Sequence, residues 1–148
     1  RILCFSLGLT LFWPVVLPIN LWAFSISETK TFAEKPYAFK LEVQVHGKGS
    51  SKKGGFRMSS LKVKIKNEKA SSGVLKVHAI RAYLEPKVYR DLETLGYSIS
   101  PGQWVTKFYR LRKEKQPLLG EEGHIEIAFE NFTIRFNPRE RKFHGPLK

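Results

Sequence analysis

The chain has 148 residues, with 26 Lys plus Arg against 13 Asp plus Glu and a formal net charge of +13. That length suits one domain, and 42% hydrophobic with 26% charged residues excludes a wholly disordered chain. A single cysteine excludes an intramolecular disulfide and a cysteine-based zinc site.

The N-terminal segment departs sharply from this average. Ile2 to Ser27 is a run of 26 residues without a charge, and roughly 20 suffice to cross a bilayer. Backbone groups inside lipid must be bonded internally, so the expected form is a helix. Pro14 and Pro18 each remove a backbone donor and would bend it. Residues 1–27 are therefore expected to form a transmembrane helix or uncleaved signal anchor, with Trp13, Pro14, Pro18 and Trp22 as its contacts to lipid or to neighbouring helices. The competing reading is a cleaved secretory signal, because Ala23 and Ser25 satisfy the small-residue rule for a cut after Ser25. The following domain is expected on the extracytoplasmic side, in a periplasm, a lumen or outside the cell. The lysines after the segment lean the other way.

After a linker at 28–36, residues 37–137 read as β structure. Phe39, Leu41, Val43 and Val45 alternate with Lys40, Glu42, Gln44 and His46, the signature of a half-buried strand. A Gly- and Lys-rich loop follows. Leu61, Val63 and Ile65 then alternate with Lys62, Lys64 and Lys66, while Phe56 and Met58 carry the opposite parity. A bulge near Ser59-Ser60 reconciles the two halves. Asn67 to Gly73 is a polar turn, and Val74 to Leu84 is a further strand. Val88, Leu92 and Leu95 have helical spacing, so a short helix ended by Gly96 is expected, with an irregular crossing between sheets as the alternative.

Ser100-Pro101-Gly102 signals a turn before a strand at Gln103 to Lys113. Phe108 is assigned to the core there. Ile125, Ile127 and Phe129, then Phe132, Ile134 and Phe136, change parity at Glu130-Asn131, which requires a hairpin or a bulge. The tail at 138–148 is basic and expected to be loosely ordered. Strand candidates separated by turns, without strand–helix alternation, point to a mainly β fold. The expected form is an immunoglobulin-like antiparallel β-sandwich behind the N-terminal helix.

Catalytic chemistry is not visible. His46, His78, His124 and His144 form no short-spaced metal pair, and Cys4 lies in the apolar segment. There is no G-x-S-x-G elbow and no phosphate-binding glycine loop. Glu121-Glu122 sits between glycines and reads as a solvated turn. No enzyme activity, metal or cofactor is expected. The surface signal is charge: Lys62, Lys64 and Lys66, then Arg110, Arg112 and Lys113, then Arg139, Arg141 and Lys142 form the expected basic docking surface.

Its partners are expected to be the bilayer, subunits of a membrane complex or anionic lipid. Lys107-Phe108-Tyr109-Arg110 mixes rings and cations as nucleic-acid sites do, but nucleic acid is disfavoured by the apolar segment. Asn131-Phe132-Thr133 is a glycosylation sequon that matters only in a glycosylating compartment. The function expected is a non-catalytic, membrane-anchored accessory or assembly subunit. The alternative is a tethered or secreted binding module for an anionic ligand, and a metal carrier or enzyme ranks third.

Overall fold

Alternating sequence becomes two antiparallel sheets in the computed structural model, which describes residues 23–49, 56–84, 88–120 and 122–148. In chain order the strands are β1 (Ala23–Glu34), β2 (Tyr37–Gly49), β3 (Phe56–Asn67), β4 (Leu75–Leu84), β5 (Val88–Glu93) and β6 (Tyr97–Ile99). They continue as β7 (Trp104–Arg110), β8 (Leu118–Leu119), β9 (His124–Phe129), β10 (Thr133–Asn137) and β11 (Lys142–Leu147). One sheet has the order β1-β2-β3-β7, with β8 added to β3. The other has the order β11-β10-β9-β4-β5, with β6 added to β4. The chain crosses from the first sheet to the second after β3 and again after β8, and returns once, before β7.

The inward-facing parity of β2 and β3 supplies Phe39, Leu41, Val43, Val45, Leu61, Val63 and Ile65, all fully buried. The second sheet answers with Val77, Ile80, Ile125, Ile127, Ile134 and Phe136. Phenylalanines join the layers at one end. Phe39 lies 5.2 Å from both Phe32 and Phe129 and 5.7 Å from Phe132, ring centre to ring centre. Such pairs contribute beyond the area they bury. Asn67 ends β3 inside this core. Its amide donates to the carbonyls of Gly73 and Ile99 at 2.9 Å each, which ties the β3–β4 connection to β6.

Several expectations hold. The bulge falls at Ser59, between the pairs His46–Ser60 and Gly47–Met58. Glu130-Asn131 is the tip of the β9–β10 hairpin, and Asn131 is exposed there. Ser100 to Gln103 is a tight turn closed by a 3.0 Å bond from the Gln103 N–H to the Ser100 carbonyl, with Gly102 at φ +84° where a side chain would be strained.

Most of the expected transmembrane helix lies outside the described residues, among which no helix is long and apolar enough to cross a membrane. Trp13, Pro14, Pro18 and Trp22 lie outside the described residues. Ala23 to Ser27, expected to end the helix, instead begin β1, and residues 28–34 of the expected linker continue it. β1 pairs with β2 along its whole length, from Ala23–Lys48 to Glu34–Tyr37. The helix expected at 88–95 is strand β5 followed by a loop. Tyr89 faces Tyr83 at 4.8 Å and Asp91 faces Arg81, and these cross-strand pairs favour the ladder over the helical spacing. The tail carries β11, which pairs with β10. Asn137 accepts from the N–H groups of Arg139 and Glu140 and shapes the turn between them.

Ion pairs clasp both open sides of the sandwich. On one side Arg141 meets Glu28 at 3.9 Å, and Lys148 pairs with Glu34. On the other, the Tyr109 hydroxyl donates to Glu93 at 2.9 Å and Lys107 approaches the same carboxylate at 3.9 Å. Burial and this bond hold the Tyr109 phenol above its ordinary pKa.

Candidate functional site: the basic and aromatic face of the first sheet

The polar parity of β3 points away from the core, so Lys62, Lys64 and Lys66 form a row on the outer face of the first sheet. Side chains two residues apart on a strand stand about 7 Å apart. The register extends the row sideways. Ser60 lies opposite Arg110 on β7, Lys62 opposite Phe108, Lys64 opposite Thr106 and Lys66 opposite Trp104. On the other flank Lys40 lies opposite Lys66, Glu42 opposite Lys64 and Gln44 opposite Lys62. Beyond them β1 contributes Ser25, Ser27, Thr29 and Thr31. The face therefore grades from hydroxyls at β1 to cations and rings at β7.

Two large rings stand in solvent on this face, Trp104 at 61% and Phe108 at 51% exposure. Phe108 is thus not a core residue, contrary to expectation; Val105, Lys107 and Tyr109 occupy the inner parity of β7. Cations cover both rings. Lys64 Nζ lies 6.0 Å from the Trp104 ring centre, and the Arg110 guanidinium lies 5.5 Å from that of Phe108. Glu42 lies within the face, and Glu68 sits at its margin, 3.9 Å from Lys66. Such a surface presents positive charge with flat apolar area, and two of its residues, Trp104 and Arg110, are of types enriched at protein docking hot spots.

The remaining basic residues expected at this surface lie elsewhere. Arg112 and Lys113 follow β7, where Lys113–Lys115 forms a short 3-10 turn. Arg139 and Arg141 occupy the β10–β11 connection of the second sheet, and Lys142 opens β11. The three sequence clusters do not merge into one patch on the face. Only Lys62, Lys64, Lys66 and Arg110 of the expected set share it, and Lys40, Trp104 and Phe108 join them.

The outer face of the second sheet is built differently. Glu126, with a side chain only 10% exposed, accepts from Arg81 at 3.4 Å and lies 3.6 Å from Arg135. Arg81 also donates to Asp91 at 3.1 Å. Beside this network is a cleft of about 370 Å³ lined by Tyr83, Tyr89, His124, Arg135 and Asn137, with Glu122 and Glu140 at its edge. His124 stacks on Tyr83 at 4.6 Å, and its Nδ1 lies 3.0 Å from the Glu122 carbonyl. Burial, the largest cause, holds its pKa below the ordinary value. An imidazole that donates through Nδ1 leaves Nε2 as its basic atom, but Nε2 of His124 is buried without a hydrogen-bond partner, and the residues lining the cleft include no Ser, Thr or Cys. Among the described residues no three His, Cys, Asp or Glu converge as metal ligands.

No protein-family model, curated protein or solved structure matches this chain, so the surface chemistry carries the functional argument.

Proposed function

We propose that the chain is a non-catalytic, membrane-anchored accessory or assembly subunit of a larger membrane complex. In this reading residues preceding β1 supply a transmembrane helix, and the immunoglobulin-like sandwich stands on the extracytoplasmic side. The basic and aromatic face of the first sheet docks an acidic subunit. One observation carries the reading: Lys62, Lys64, Lys66 and Arg110 share an open sheet face with exposed Trp104 and Phe108. An acidic surface would gain both charge complementarity and ring burial.

Gentle detergent extraction from native membranes, followed by size separation and mass spectrometry, tests it. Co-migration with a large assembly is expected. Migration as a monomer in its micelle, with no partner recovered, overturns the reading.

The cation-over-ring pairs also favour a second reading, a tethered or secreted module for an anionic ligand that lies flat on the face. That reading requires binding by the purified chain that weakens steeply with salt. Salt-insensitive binding removes it.

A further inference from the structure

Chain direction sorts the connections of the sandwich to two poles. β1 starts at one pole, with Ala23 opposite Lys48 at the end of β2. The same pole holds the start of β3, the end of β7 and β8. The opposite pole holds the β1–β2, β3–β4, β6–β7 and β9–β10 connections.

Charge divides between the poles. At the far pole three cations have partners, Lys148 with Glu34, Lys66 with Glu68 and Lys76 with Glu130, while Lys35 and Lys69 are exposed. At the near pole Lys48, Arg57, Arg110, Arg112, Lys113 and Lys115 are all exposed. The described carboxylates there are Glu114 and Glu122, too few to balance the cations. Arg57 and Arg90 pin the connecting loop by donating to the backbone carbonyls of Gln116 and Lys115. The loop thus presents its charges from a tethered backbone, and Leu118, half exposed, stands opposite Arg57 in the ladder.

This is also the pole at which the chain enters from residues 1–22, whose sequence from Ile2 onward is uncharged and apolar. We infer that the near pole is a docking surface for anionic lipid headgroups, so that the long axis of the sandwich stands on the bilayer and leaves the basic and aromatic face free at its side. The inference rests on the anchored reading of the apolar segment. Basic groups next to a membrane-inserted segment are attracted by an anionic leaflet, and the attraction disappears beyond a Debye length. Near-pole cations fall within that range. Far-pole cations do not, since a strand of 12 residues such as β1 spans about 40 Å.

The test is amine acylation of the full chain in nanodiscs of phosphatidylcholine alone or with phosphatidylglycerol, read residue by residue by mass spectrometry. Anionic lipid is expected to slow labelling of Lys48, Lys113 and Lys115 by at least about threefold. It is expected to leave Lys35, Lys69 and Lys62 unchanged, and about 1 M salt is expected to abolish the protection. Replacing Arg112, Lys113 and Lys115 together by Glu is expected to keep the chain in the disc while removing the protection of Lys48. Equal labelling in both lipids, or protection of Lys62, Lys64 and Lys66 instead, overturns the inference while the anchor stands. A chain absent from the disc fraction overturns the anchored reading itself, and the inference with it.

Discussion

The two outer faces of the sandwich use the same residue types to opposite effect. On the second sheet Arg81, Asp91, Glu126 and Arg135 neutralise one another across adjacent strands, and the central carboxylate is nearly buried. On the first sheet lysines stand in a row with few carboxylates beside them, and two rings remain in water. The ion-paired face is satisfied within the molecule. The other stays open to solvent, with its cations set over exposed rings. Charge count alone does not distinguish the two faces, and register does.

The first way to test the contrast is to remove what the faces share. Phe39→Ala empties the ring cluster that joins the sheets. It should cost about 4 kcal/mol, measured by denaturant unfolding, and both faces should be lost in a single transition. Next, Glu126→Ala leaves Arg81 and Arg135 without their shared carboxylate. It should cost about 2 kcal/mol and leave any docking by the first sheet unchanged.

Acidification is the third probe. Burial holds the His124 pKa below its ordinary 6.5, with Arg135 and His144 adding to the shift and the Glu122 carbonyl and Glu126 opposing it. The folded protein therefore takes up this proton less readily than the unfolded chain. The His124 contribution is fully present above about pH 6.5 and is lost as the pH falls below it. The melting temperature should drop across that window, and His124→Gln should flatten the drop. The smallest stability effect should come from the open face. Lys64→Glu should stay within about 0.5 kcal/mol of the parent while weakening partner retention, because Lys64 lies between two like charges and over Trp104.

The sequence made the central strands legible and concealed the edges. β2, β3, β9 and β10 alternate cleanly because each has a strand on both sides and one face on the core. β1 does not, since its inward positions include Glu28, Lys30 and Glu34 beside Ile26 and Phe32. Two of those carboxylates reach the other sheet's edge, at Arg141 and Lys148, and such inward charges also guard an edge strand against pairing with another chain. β7 misleads in the same way. Lys107 points inward to Glu93 while Trp104 and Phe108 point out. Apolar residues on both parities left its orientation open until its pairing with β3 was known. The lysine row was readable because β3 is central. The rings beside it were not, and neither was the separation of Arg112, Lys113, Arg139, Arg141 and Lys142 from the face, which depends on which strands are neighbours.

The most direct test compares charge reversal on the two faces in the native membrane. One variant carries Lys62→Glu, Lys64→Glu and Lys66→Glu; the other carries Lys76→Glu and His78→Glu on the second sheet. Both are extracted gently and sized. Loss of co-migration with the assembly in the first variant and its retention in the second is the predicted result. Retention in the first, or loss in both, would contradict the assignment of docking to the face formed by β3 and β7.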